Sequence, residues 1–92
     1  MKAICNTTVF FSPSIEGKVR EELRSRGPWS RVLLMDPEPG IMRVALQQEF
    51  ESKQAAEAYL ESDLMPMLSQ LTHKFGHEKF TGFPTIMEEI EL

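Results

Sequence analysis

The two histidines of the chain have a spacing that could support metal binding. His73 and His77 lie four residues apart, which can place two imidazoles on one helix face, and Glu78 follows directly. Gly76 is expected to end the helix before His77, so the two side chains need not converge. The sequence places no third ligand beside them. We therefore predict no metal and no cofactor, and interpret both histidines as helix-end residues that the helix dipole favours.

A second set of side chains could bind a small polar molecule. Its members are amide, hydroxyl and charged residues at alternating positions of two strand-like segments: Asn6, Thr8, Arg43, Gln47 and Glu49. In a closed cavity they could hold a small polar ligand, or Glu49 could act as a general base if it were removed from water. Alternatively, they form a hydrogen-bonded polar layer inside a dimer interface. These residue types define no reaction, so the catalytic residues stay unknown.

The other reactive or aromatic side chains are better explained by packing. Cys5 could be nucleophilic only beside a base, and no motif places a histidine near it, so a buried inert thiol is predicted. Tyr59 and Trp29 could stack on an aromatic ligand, yet Tyr59 follows the apolar period of the second helix and is predicted to lie in the core. Five methionines follow helix or strand periods and are also predicted to pack: Met35, Met42, Met65, Met67 and Met87.

Composition limits the classes of protein to which the chain can belong. Its 92 residues, 41% hydrophobic and 26% charged, are typical of one globular domain spanning residues 1–92. The formal net charge is -4 and the one basic run is interleaved with glutamates, so no nucleic-acid partner is predicted. A single cysteine fits a reducing compartment. No apolar run is long enough to span a membrane and no signal peptide is recognisable, so we expect a cytoplasmic protein without a membrane partner.

The first half of the chain reads as strand, helix and strand. Residues 3–11 are rich in β-branched and aromatic side chains and end at Ser12-Pro13, a helix-opening pair. Residues 14–26 repeat apolar side chains every four positions and predict a helix closed by Gly27-Pro28. Gly17 inside this helix marks either close approach to the sheet or a late helix start. Residues 29–35 predict the second strand.

The second half reads as strand, helix and strand. After a turn at 36–40, residues 41–50, IMRVALQQEF, alternate between apolar and polar positions. A second helix begins at the N-cap Ser52 and ends at Gly76, with a kink or fresh start near 62–64 because Pro66 cannot donate a hydrogen bond. Residues 79–92 predict the last strand, and Pro84 within it indicates either an edge position or an irregular first half.

This element order is the βαββαβ pattern of the α+β ferredoxin-like fold. Right-handed crossovers put both helices on one face of a four-stranded antiparallel sheet, with strands one and three in the middle. Alternation directs Cys5, Thr7 and Val9 toward the helices. It directs the following residues to the uncovered face, with Ile41 and Trp29 nearby: Ile4, Asn6, Thr8, Phe10, Arg43, Ala45, Gln47 and Glu49. Such a mixed face predicts a homodimer in which two sheets pack face to face.

Three segments carry a family resemblance: CNTTVF at the start, QQEFES before the second helix, and FGHEKFTGFPTIMEEIEL at the end. In these segments the chain resembles the domain-of-unknown-function 4286 family, short bacterial proteins of the dimeric α+β barrel type. The resemblance implies a cytoplasmic homodimer and no known reaction. It singles out Asn6, Thr8, Gln47, Phe75-Gly76, Phe83 and Thr85. The chain departs from the family at Pro84, where a basic residue is expected.

Two functions follow from these observations. The first is a homodimer formed through the open sheet face, with a structural or small-ligand-binding role. The alternative is a small cofactor-free enzyme of the dimeric α+β barrel kind with a polar pocket on that face, an analogy of fold alone.

Overall fold

A computed structural model describes residues 2–36 and 38–92 of the chain. Its strands and helices are, in order, β1 Ala3–Phe11, α1 Glu16–Ser25, β2 Arg31–Leu34, β3 Met42–Phe50, α2 Lys53–Tyr59, α3 Met65–Phe75 and β4 Phe80–Glu88. The strands form one antiparallel sheet in the order β2-β3-β1-β4. The helices pack on one side of it. This is the predicted ferredoxin-like fold, with β1 and β3 central and the proline-containing β4 at an edge.

Alternation in β1 decides which side of the sheet is covered. The strand alternates buried and half-buried residues along its whole length, and Cys5, Thr7 and Val9 are on the buried side. They join or lie beside a core cluster with residues from α1, α3, β3, β4 and the segment before α3. Its bulkiest fully buried side chains are Phe80, Leu46, Leu64 and Leu71. Burying one such side chain contributes about 1.5–3 kcal/mol. We call this the helix side of the sheet.

Helix ends follow the local chemistry of the sequence. The Ser52 hydroxyl accepts a hydrogen bond from the Ala55 N–H at 3.1 Å, which confirms the predicted N-cap. Pro66 lies in the first turn of α3, and a π-helical turn over Leu60–Leu64 separates that helix from α2, so the predicted interruption is present. Gly76 ends α3 with a φ of 87°.

The structure decides between the two explanations for Gly17, a late helix start and close approach to the sheet. A short 3₁₀ turn, Pro13–Ile15, precedes α1, so the helix does start late. A Cβ added at Gly17 would meet nothing within 4 Å, so the idea that it allows close approach to the sheet is wrong. The residue that does permit close approach is Gly82 in β4, beneath Leu68.

The turn between β2 and β3 is only partly described, because Pro37 lies outside the described residues. Glu38 and Ile41 form an isolated antiparallel bridge, and Gly40 between them has a φ of 77°. A positive φ suits glycine, so this part of the predicted turn at 36–40 agrees with the structure.

A charged cluster joins α1 to α3 in the helix layer. The Glu22 carboxylate of α1 accepts hydrogen bonds from Lys74 of α3 and, at 3.4 Å, from Arg26. Arg26 also donates to Gln70 of α3 at 3.3 Å. The hydrogen bond from Lys74, aided by the positive charges of Lys74 and Arg26, lowers the pKa of Glu22. The cluster therefore stabilises the ionised form of this carboxyl.

Replacing Lys74 with methionine is expected to remove a pH-dependent part of the stability. Because the pKa of Glu22 is lower in the folded chain, the unfolded chain binds more protons in acid. The contribution is thus present above the unfolded carboxyl pKa and is lost as the pH falls through the folded value. Urea unfolding from neutral to acid pH should show a difference between wild type and Lys74→Met that shrinks in acid. The exposed Lys79 gives the control Lys79→Met; a Lys74→Met difference independent of pH would contradict the assignment.

Candidate functional site

The sheet surface opposite the helices, here called the open face, carries the polar residues singled out from the sequence. Strand register assigns to it fourteen side chains: Ile4, Asn6, Thr8 and Phe10 of β1, Arg31 and Leu33 of β2, Arg43, Ala45, Gln47 and Glu49 of β3, and Thr81, Phe83, Thr85 and Met87 of β4. The predicted sorting of β1 and β3 residues between the two sides is therefore confirmed. No described helix packs on the open face, because the helices join the core on the other side.

A polar row crosses this face. Register aligns Arg31, Gln47, Asn6 and Thr85, one from each strand. Gln47 Nε2 donates to Asn6 Oδ1 at 3.0 Å, and Asn6 Nδ2 donates to Thr8 Oγ1 at 3.3 Å. The three side chains Asn6, Thr8 and Gln47, all half-buried, thus form one hydrogen-bonded chain, which we call the amide network. This arrangement leaves the side-chain oxygen of Gln47 and the hydroxyl hydrogen of Thr8 available for a further partner.

The two charged residues predicted to share this site lie at opposite ends of β3. Arg43 turns toward the β2–β3 turn, where its Nη2 donates to the Asp36 carbonyl at 2.5 Å and its Nη1 lies 3.5 Å from Glu38 Oε1. Glu49 is exposed, and its main-chain N–H donates to Ser30 Oγ at 3.1 Å. Six residues of strand separate their Cα atoms by about 20 Å. Within one protomer, a small ligand at the amide network cannot contact both charges.

Residues implied by the family resemblance fall into two groups. Phe83 and Thr85 lie on the open face beside Thr8 and Asn6, and the Phe83 ring meets Phe10 edge-on with centroids 5.8 Å apart. Phe75 packs against the core instead and Gly76 ends α3, so these two have structural positions. Pro84, paired with Thr7, is on the helix side. A basic residue there would not line the open face.

The histidines occupy the end of α3 as anticipated. His73 is in its last turn, His77 follows Gly76, and both are exposed. Among residues 2–36 and 38–92, no group of three or more His, Cys, Asp or Glu side chains is arranged to hold a metal ion. Within that same part of the chain, no helix is long and apolar enough to cross a membrane.

The other candidate side chains divide between core and surface. Cys5 is 1% exposed, and burial raises its thiol pKa, an effect that the hydrogen bond with Thr7 partly opposes, so the reactive thiolate is disfavoured. Tyr59 packs against Phe50 with ring centroids 5.2 Å apart, which agrees with the core prediction. The packing prediction fails for three methionines that are 37–49% exposed: Met35, Met65 and Met87.

Trp29 corrects a sequence-based expectation. It was expected near the open face, but its indole N–H donates to the Leu23 carbonyl at 2.9 Å and its ring packs against the core on the helix side. There it borders a cavity of about 620 Å³ between α1 and β2, here called the β2 groove. Its apolar lining includes Trp29, Val32, Leu34, Met42, Val44 and Leu46, and Arg20 and Arg24 also line it.

The β2 groove exists because the helix layer stops short of the outer strand. Val32 and Leu34 pair with Leu46 and Val44, so they are on the helix side, yet they are 58% and 65% exposed. One signal was available in the sequence. The run Val32-Leu33-Leu34 is apolar at consecutive positions, which indicates a strand that needs cover on both faces.

Comparisons with known proteins support the fold. No protein-family model and no curated protein matches the chain. The de novo designed protein Foldit4 is 10% identical, covers 98% of this chain and 100% of its own, and has a TM-score of 0.55. A putative PII-like signalling protein from Thermus thermophilus is 12% identical, with 92% and 86% covered and a TM-score of 0.52. A dimeric ferredoxin-like protein from an uncultured marine organism is 15% identical over 100% of both chains, with a TM-score of 0.45. The first two likenesses agree with the ferredoxin-like fold.

Proposed function

We propose that this chain is a self-association domain, a homodimer in which the open face of one copy packs on the open face of another. The observation that carries this proposal is the set of apolar side chains on and beside that face. They are between 37% and 60% exposed: Leu33, Met35, Ile41, Phe83 and Met87. These side chains lie along both edges of the face, with the polar row between them, and several exposed apolar side chains on one face are typical of an interaction surface.

The amide network supports a partner with the same surface. Each side-chain amide carries both donors and an acceptor, and the Thr8 hydroxyl can do both. The amide network is therefore self-complementary, which a two-fold interface requires because each copy contributes the same patch. An acidic or basic row would repel its own copy instead. Internal hydrogen bonds of 3.0 and 3.3 Å also lower the cost of burying the network.

The size of the open face suits a stable pair. Three strands have nine residues and β2 has four, and they rise about 3.3 Å per residue and are spaced about 4.8 Å apart. The footprint is therefore roughly 500 Å², without the additional surface of the protruding side chains. Stable interfaces bury about 800 Å² of accessible surface per partner, and a corrugated face exposes more than its footprint.

A structural role for the network has more support than an enzymatic one. The members of the amide network bond to one another, and Arg43 and Glu49 lie too far from each other to act on one small molecule within a protomer. We also propose, from the resemblance of its three segments, that the protein is bacterial and cytoplasmic. The alternative function of the same network is to bind a small polar ligand through the free side-chain oxygen of Gln47 and the hydroxyl of Thr8.

Sedimentation velocity and native mass spectrometry of the purified chain test this proposal together. We expect a dimer at micromolar concentration. Gln47→Ala should weaken it by roughly 5- to 150-fold, because Asn6 Oδ1 loses its donor inside the interface. Gln54→Ala, at an exposed position of α2, is the matched control and should leave the dimer unchanged. A monomer at tens of micromolar would overturn the proposal, and a reproducible extra mass on each dimer that Gln47→Ala loses would assign the network to a ligand.

A further inference from the structure

The β2 groove has an unfilled apolar lining next to a free strand edge. Val32 and Leu34 are on the helix side but more than half exposed. The Met35 N–H donates to the Arg43 carbonyl at 2.9 Å, so residues 33 and 35 direct their main-chain groups toward β3. Alternation leaves the main-chain groups of Val32 and Leu34 at the outer edge of the sheet. Such an edge can accept an added strand.

The segment after β4 has the pattern of a strand. In residues 89–92, Glu89 and Glu91 alternate with Ile90 and Leu92, which are 67% and 116% exposed. The Glu89 N–H donates to the Lys2 carbonyl at 3.0 Å, so the segment leaves the sheet as a continuation of the ladder. We call it the end segment. It presents apolar side chains on one side and carboxylates on the other.

The end segment cannot reach the groove of its own chain. Glu88 is level with Ala3 and Phe50, at one end of the sheet, and the end segment continues beyond that row. β2 starts level with Gln47 and runs away from that end. It also lies at the opposite edge, with β1 and β3 between. An occupant of this kind must therefore come from a second copy.

We propose that the end segment of one copy adds as a strand to the free edge of β2 in a second copy, with Ile90 and Leu92 filling the β2 groove. Because side chains alternate between the two faces of a strand, the apolar residues and the glutamates of the end segment would lie on opposite faces of the extended sheet. When Ile90 and Leu92 lie beside Val32 and Leu34 on the helix side, the glutamates fall on the open-face side, where Arg31 stands. This inference rests on the proposed homodimer and names a second contact within it.

Charge supports the choice of occupant. Arg31 of β2 is on the open-face side, where the carboxylates of an added end segment fall. Arg20 and Arg24 line the groove on the helix side instead, and Arg20 already pairs with Glu16 at 2.9 Å. The chain as a whole is acidic, with a formal net charge of -4, so arginines on both sides of β2 are a local feature. A segment with carboxylates at alternate positions complements Arg31, and the arginines steer its association toward this edge.

Engineered disulfides test the contact directly, because Cys5 is the chain's only cysteine and is buried. Under mild oxidation, Leu34→Cys combined with Ile90→Cys should give disulfide-linked dimers on a non-reducing gel. Val32→Cys with Ile90→Cys covers the neighbouring register. The opposite-face control, Leu34→Cys with Glu91→Cys, should give about tenfold less product, because adjacent residues point to opposite sides of a strand. The single variants Leu34→Cys and Ile90→Cys show whether a disulfide forms between the same residue of two copies.

Removing residues 90–92, which keeps the hydrogen bond from Glu89 to Lys2, gives an independent readout. Since Ile90 and Leu92 are exposed within the protomer, the shortened chain should unfold as the full chain does when both are monomeric. Its dimer should dissociate about tenfold or more readily, because two apolar side chains lose their buried positions. Unchanged dimer affinity together with no Leu34–Ile90 disulfide would overturn this inference and leave the proposed homodimer intact.

The remaining outcomes separate the two proposals. A monomeric full chain that forms no disulfide would overturn both. Disulfide-linked ladders longer than a dimer would support the contact between end segment and groove, and would overturn a closed pair. A small molecule retained in native mass spectra of wild type but not of Leu34→Glu would assign the groove to that ligand, and would overturn the end segment as its occupant.

Discussion

Replacing Phe80 with alanine is expected to lower the free energy of unfolding by about 3–5 kcal/mol. Phe80 is 1% exposed and begins β4 opposite Phe11, with its ring centroid 6.0 Å from that of Phe75. Truncation removes the contact between the end of α3 and the sheet and leaves a cavity that the sheet cannot close. Domains of this size have a total stability of about 5–15 kcal/mol. Urea unfolding followed by circular dichroism measures the loss, and Phe80→Leu gives a smaller loss if the alanine variant does not fold.

Phe83 supplies a matched control on the same strand. It is three residues farther along, on the open face, and is 60% exposed. Phe83→Ala should change the stability of the dilute, monomeric chain by less than about 1 kcal/mol. It should instead weaken self-association, because Phe83 belongs to the proposed interface. Equal losses of monomer stability for Phe80→Ala and Phe83→Ala would contradict the assignment of the two faces of β4.

Alternation and chain breakers account for most of what could be predicted of the fold. The strand predicted over residues 3–11 coincides with β1, because its β-branched run is followed at once by Ser12-Pro13. β3 begins one residue after the predicted start, at Met42. Once the element order indicated a ferredoxin-like fold, the handedness of the crossovers determined which strands are central. These features depend on local sequence and on a general rule of chain geometry.

The position of Trp29 could not be predicted for a physical reason. β2 is apolar on both sides, so its period does not say which side faces the helices. Trp29 lies on the helix side because the Leu23 carbonyl at the end of α1 accepts its indole N–H. The groove beside it depends on where the helix layer stops, which is a property of packing and has no local signature in the sequence.

The candidate site was half predictable on the same grounds. Strand parity alone placed Asn6, Thr8 and Gln47 on one face, and the register brings them into hydrogen-bond contact. Alternation also placed Arg43 and Glu49 on that face, although their spacing along one predicted strand already implied a separation of about 20 Å. A long side chain can reach several partners, and Arg43 contacts the Asp36 carbonyl and Glu38 in the adjacent turn. Ligand binding by these five residues stays a prediction.

Replacing Gly82 with alanine is expected to destabilise the chain by about 1–3 kcal/mol through overpacking. A Cβ at this position would stand 2.5 Å from Leu68 Cδ2 and 3.4 Å from Val9 Cγ1. Leu68 is 5% exposed and lies between α3 and the sheet, so its side chain has little room to turn away. The backbone of Gly82 lies outside the left-handed region, so the cost comes from packing and the added side chain itself would suit a strand.

A double-mutant cycle with Leu68 isolates that cost. Leu68→Ala alone should destabilise by about 2–5 kcal/mol, because it opens a cavity above the sheet. Combined with Gly82→Ala, the total loss should fall below the sum of the single losses by about 1 kcal/mol or more, since the new methyl group occupies space that Leu68 vacates. Gly17→Ala is the matched glycine control: its Cβ meets nothing within 4 Å, and alanine in the first turn of α1 should stabilise the chain by up to about 0.5–1 kcal/mol. Opposite signs at the two glycines would show that contact with Leu68, rather than glycine content, sets the approach of α3 to β4. Additive losses at Gly82 and Leu68 would place the crowding on another neighbour.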